Sequence, residues 1–192
     1  ADAGMVITAT AARQPLAAEA LTEVVLDDVV ENLQTTLVLQ GQRSNDFQAE
    51  LVVADGWLVE SVESVPPGDV LHWRVAQEGQ RRELQVQFLT APTEATPLVL
   101  KATGHRQQRA VDLPAEVGDF AWLDLSNFRV TRHLLWLKGR QADVQIVAPS
   151  SRPSAEMLSA EVADYFGVEP PAASTVALDM GAAPPATSIA FL

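Results

Sequence analysis

There is no cysteine in this 192-residue chain. Neither a disulfide framework nor a thiolate metal site can therefore form. No apolar run approaches the roughly 18 residues that a bilayer-spanning helix needs, so membrane insertion is not expected. The opening residues, Ala1-Asp2-Ala3-Gly4, show neither an initiator Met nor the basic and apolar regions of a signal peptide. The expectation is a chain whose signal peptide has been removed, or a piece of something larger.

Motifs that carry chemistry are missing too. The sequence has no Walker loop, dinucleotide-binding Gly-rich turn, Gly-x-Ser-x-Gly elbow, His-Glu-x-x-His pair or EF-hand loop. The three histidines, His72, His105 and His133, are 33 and 28 residues apart, which is no metal-ligand spacing. They read as unrelated imidazoles on strand or loop surfaces. Asp27, Asp28 and Glu31 form the densest carboxylate group. As oxygen ligands they could hold calcium, and with Asp124 or Asp143 across a cleft they could make a glycosidase pair. A solvated acidic edge is the simpler reading. The chain is accordingly expected to be no enzyme, with no catalytic residue, no metal and no cofactor.

Hydrophobic residues make up 47% of the chain, enough for a substantial core. The net charge of −12 is unevenly spread. Residues 1–70 hold twelve acids against Arg13 and Arg43, residues 71–152 hold eleven bases against eight acids, and residues 153–192 hold five acids and no base. Such a chain repels phosphate backbones, so nucleic acid is not an expected partner. The locally basic group Arg129, Arg132, Lys138 and Arg140 reads as a solvated strand face. The acidic N-terminal part and the basic middle are expected to lie on facing strands.

Several segments alternate with period two, as a strand with one buried face does. Phe47, Ala49, Leu51 and Val53 share a face, as do Leu71, Trp73 and Val75, and Leu84, Val86 and Phe88. Asp55-Gly56 and Glu78-Gly79 each predict a hairpin turn. Pro66-Pro67-Gly68, Pro92 to Pro97 and Lys138-Gly139 are further breaks. Between residues 14 and 33 a helix starting at Pro15 competes with strands at 22–30 and 33–40. The strands are favoured because β-branched side chains lose rotamer freedom in a helix. Ser154 predicts a capped helix over 155–166 ending at Gly167, followed by strands at 175–179 and 187–192.

Together these features predict a mainly β fold. It is an antiparallel β-sandwich, of meander, immunoglobulin-like or supersandwich type, with one short helix near the C-terminus. Residues 1–148 would form the sandwich, and residues 149–192 a helix-strand appendage or the start of a following module. Trp73 and Trp136 fall in phase with apolar neighbours and read as core. Trp57 and Trp122 read as an exposed pair that could stack on sugar rings.

The strand rhythm from Leu37 through Phe47 to Val53, Gly56-Trp57, Leu71 to Val75, Leu84 to Phe88 and Leu98 to Ala102 resembles β-sandwich modules of very large bacterial envelope proteins. The resemblance covers residues 20–103. It implies a non-catalytic module of an exported or envelope-associated protein in an extracytoplasmic setting. Such a module would act as a spacer or a protein-interaction domain, with protein or neighbouring domains of the same chain as partners. The rival expectation is a carbohydrate-binding module using Trp57 and Trp122.

Overall fold

In the computed structural model, the described residues are 15–26, 30–41, 47–107, 115–139, 144–146, 155–172, 175–181 and 188–191. The strands are β1 (Ala17–Leu26), β2 (Val30–Gln40), β3 (Gln48–Val53), β4 (Leu58–Val65), β5 (Val70–Glu78), β6 (Arg81–Phe88), β7 (Leu98–Gln107), β8 (Ala115–Glu116), β9 (Leu123–Asp124), β10 (Arg129–Gly139), β11 (Val144–Ile146), β12 (Val176–Asp179) and β13 (Ser188–Phe191). Short 3₁₀ turns lie at Val117–Phe120 and Ala155–Leu158, and the helix α1 at Ala160–Phe166.

Of the region that could have been helix or strand, Ala17–Leu26 and Val30–Gln40 are strand. β1 and β2 pair antiparallel from Ala17↔Gln40 to Leu26↔Glu31. Their inward positions, Ala18, Ala20, Val24, Leu33, Leu37 and Leu39, are buried in the main core. A six-stranded sheet runs β12-β10-β1-β2-β7-β4, and a four-stranded sheet runs β5-β6-β3-β9. Leu51, Leu84, Val86 and Phe88 of the smaller sheet share one core with Leu37, Leu100 and Leu135 of the larger. The fold is a mainly β, sandwich-like pair of sheets. A third sheet, β11-β13-β8, is three-stranded.

Three expectations about connectivity are corrected. The strands do not form a meander, because β4 joins the large sheet between the small-sheet strands β3 and β5. Asp55-Gly56 consequently closes no hairpin. It is a turn from one sheet to the other, in which Trp57 N–H donates to Ala54 O at 3.3 Å and Gly56 adopts φ 82°. Nor is the pairing wholly antiparallel: β1 and β10 run parallel over their full lengths. Period-two alternation reports which face is buried and carries no information on strand direction. The Glu78-Gly79 turn does close a hairpin, with Glu78 opposite Arg81 and Gly79 at φ 63° in the first central position.

The described strands among residues 149–192 pair with strands from the earlier part of the chain. β12 pairs antiparallel with β10, from Leu134↔Asp179 to Leu137↔Val176, and β13 pairs with β11 and β8. Helix α1 packs Val162, Ala163 and Phe166 against Leu21, Val38, Leu134, Trp136 and Ala177 on the outer face of the large sheet. The helix is shorter than expected. Its N-cap is Ser159, whose side chain accepts from Val162 N–H, and it ends at Gly167 in the left-handed conformation. Ser154 lies outside the described residues.

Leu71 also departs from its expected face. The ladder of β5 and β6 slips between Val70 and His72, and the bulge turns Leu71 out to 67% exposure. Trp73 and Val75 keep the expected face and pack against the core.

Candidate functional site

The tryptophans expected to be exposed are core residues. Trp57 and Trp122 are each 1% exposed, with ring centroids 6.2 Å apart at 53°. The turn at Asp55-Gly56 drops Trp57 between the sheets. Trp122 lies over Gly104 of β7, where a Cβ atom would stand 2.4 Å from the ring. Its indole N–H donates to Thr35 Oγ1 at 2.7 Å. Neither ring can stack on a sugar from this position. Trp136, expected in the core, is fully buried, although on the outer face of the sheet beneath α1.

Of the carboxylates and imidazoles singled out in the sequence, Glu31 and His133 are buried. Glu31 is buried and paired with Arg106 directly across the β2–β7 ladder, and the Arg106 guanidinium lies 4.3 Å over the Trp57 ring. The expectation of Glu31 in a solvated acidic edge is thus corrected, while Asp27, Asp28 and Asp143 lie outside the described residues. Asp124 is exposed and accepts from Ser126 N–H and Oγ, closing a local turn. His72 is exposed.

His133 is buried, against the expectation of a surface imidazole. Thr22 Oγ1 lies 3.2 Å from its Nε2 and 2.9 Å from Thr35 Oγ1. With Trp122 donating to Thr35, both hydroxyl protons are used if Thr35 donates to Thr22 and Thr22 donates to Nε2 of a neutral His133. Burial pushes the His133 pKa down to about 4, against the opposing pull of Asp179.

The expected facing of acidic and basic segments does occur. Glu19 stands opposite Arg132 in the β1–β10 ladder, Glu63 opposite Lys101, and Lys138 pairs with buried Glu23. Arg140 lies outside the described residues.

The polar partners on the outer face of the large sheet line a cleft of about 840 Å³ beside the C-terminal end of α1. Gln34 Nε2 donates to Glu23 Oε2 at 2.9 Å, Lys101 Nζ donates to Gly167 O at 3.0 Å, and the hydroxyl of Thr103 lies 2.8 Å from that of Ser61, which is outside the lining. His105 Nδ1 lies 2.7 Å from Glu60 Oε1 at the rim. No reading of the sequence singled out this cleft. Its one sequence signal is the outward face of β2, which starts with the polar Asn32 and Gln34 of the cleft and ends in the buried Thr36 and Val38. Among the described residues no three His, Asp or Glu side chains group as metal ligands.

No protein-family model matches the sequence, and a search of curated proteins finds no match. Solved structures do resemble the fold. One is a variant of a two-domain M1 zinc metallopeptidase bound to L-tryptophan, with a TM-score of 0.51 at 9% identity, covering 87% of this chain and 40% of that one. Another is a variant of the M1 zinc metallopeptidase from Deinococcus radiodurans bound to a Tyr-Ser-Ala substrate, with a TM-score of 0.50 at 9% identity, covering 86% and 39%. The chain spans about two fifths of the length of these structures, and at this identity the likeness is one of fold alone.

Proposed function

We propose that this chain is a non-catalytic β module of a larger protein, working through contacts with protein. The observation that carries the reading is the use made of its reactive side chains. Glu31, Glu23 and His133 are buried in partnerships that hold strands together, and the sequence lacks the His-Glu-x-x-His pair that zinc peptidases use. The partial likeness to a two-domain metallopeptidase supports a domain that accompanies others. Leu71 and Leu89, 67% and 61% exposed, supply apolar area for such contacts. An exported or envelope-associated setting belongs to the same proposal and rests on the resemblance of the strand rhythm.

Incubated with zinc and aminoacyl-p-nitroanilides, the purified chain should release no nitroaniline above the buffer rate. Zinc-dependent turnover would overturn the non-catalytic reading. In the longer polypeptide, backbone amides around Leu71 and Leu89 should exchange more slowly than in this chain alone. Equal exchange rates would remove the contact role.

A further inference from the structure

We propose that the cleft on the outer face of the large sheet binds a neutral saccharide. Its volume of about 840 Å³ falls within the range of roughly 300–1,000 Å³ typical of small-molecule sites. The floor crosses several strands at the level of Glu23, Gln34 and Thr103, which the registers place side by side. Helix α1 packs on the rows next to it, through Leu21, Val38 and Leu134, and Thr36, opposite Leu21, is buried as well. Farther along the same face Asn32 is exposed and Gln34 and Thr103 are half-buried.

The chemistry of the lining selects the ligand class. Three carboxylates, Glu23, Glu60 and Glu169, face two ammonium groups, Lys101 and Lys138. Lys138 is already paired with Glu23, Lys101 donates to the Gly167 carbonyl, and the lining carries one more carboxylate than ammonium groups, which disfavours a phosphate or carboxylate ligand. The described residues hold no ligand group for a metal ion, and no aromatic ring lines the cleft on which a base or indole could stack. What remains is a dense mixture of donors and acceptors: the amides of Asn32 and Gln34, the Thr103 hydroxyl, and the free valences of the carboxylates and ammonium groups. Sugar hydroxyls, each both donor and acceptor, match such a mixture without adding charge. Val25, 39% exposed, and Val168 and Pro170 on the α1 side offer apolar surface to a sugar's C–H face.

The test is a titration of the isotope-labelled chain, followed by backbone amide shifts, with glucose, galactose, mannose, N-acetylglucosamine, maltose and cellobiose. Sodium phosphate and sodium acetate serve as charged probes. At least one sugar should shift the amides of Asn32, Gln34 and Thr103 saturably. Asn32→Ala should weaken that sugar by about tenfold or more with an unchanged melting temperature, since Asn32 is exposed. Lys101→Met should weaken it as well. No saturable shift with any of the six sugars would overturn the proposal, as would shifts confined to other surfaces or tighter binding of phosphate or acetate in the cleft.

Discussion

Gly104 and Gly56 show how one residue type meets two different demands. At Gly104 the demand is space, since a Cβ would stand 2.4 Å from Trp122 Cζ3 and 2.8 Å from the Leu58 carbonyl oxygen. Gly104→Ala should therefore cost about 1–3 kcal/mol by overpacking. At Gly56 the demand is conformational. Its φ is +82° with nothing within 4 Å, so Gly56→Ala should cost about 1–2 kcal/mol through the left-handed backbone alone. Urea denaturation measures both. Near-ultraviolet circular dichroism should report the change at Gly104, because a Cβ there meets the Trp122 indole directly. His133 gives a pH dependence. Its folded pKa of about 4 is below the unfolded value near 6.5, so the unfolded chain binds the proton more readily. The stability it contributes is full above about pH 6.5 and is lost as pH falls toward 4, a difference on the order of 3 kcal/mol. His133→Gln keeps an acceptor for Thr22 and cannot protonate. The urea midpoint of this variant should fall less steeply than that of the parent between pH 6.5 and 4, and parallel curves would refute the assignment.

At the scale of elements, the parallel pairing of β1 with β10 is the decisive contact. It joins segments more than a hundred residues apart and leaves β10 open to β12 on its other side. The C-terminal elements then complete both the sheet and its outer face. Phe166 is fully buried, and Trp136 Nε1 donates to Met157 O at 2.9 Å. A chain ending at Ala148 loses β12 and α1 and uncovers Leu21, Val38, Leu134 and Trp136. It should aggregate or unfold without a cooperative transition, as scattering and thermal denaturation would show beside the full chain. A soluble, cooperative fragment would restore the appendage reading. Two of the edge strands carry irregularities. β4 and β5, the outermost strands on one side of each sheet, carry register slips at Val59/Ser61 and Val70/His72, which disrupt a ladder that another strand could extend.

For the whole molecule, the sequence by itself determined that the chain is mainly strand and which face of several strands turns inward, although Phe47 and Leu71 are exposed. Alternation at Ala49-Leu51-Val53 and Leu84-Val86-Phe88 is local, and so are the left-handed turns at Gly56 and Gly79 and the β-branched bias that makes residues 22–26 strand. The attraction of acidic for basic strands was also legible, because unlike charges on paired strands lower the energy in any register that brings them together. Tertiary structure decided the rest. Whether Asp55-Gly56 reverses the chain within one sheet or carries it to the other depends on partners far away in sequence, and that choice buries Trp57. The same holds for Trp122, whose place over Gly104 depends on the packing of one sheet against the other. The outer-face cleft exists because α1 covers part of a sheet assembled from both ends of the chain. Period-two patterning distinguishes two faces of a strand, but only the packed fold determines what covers each face.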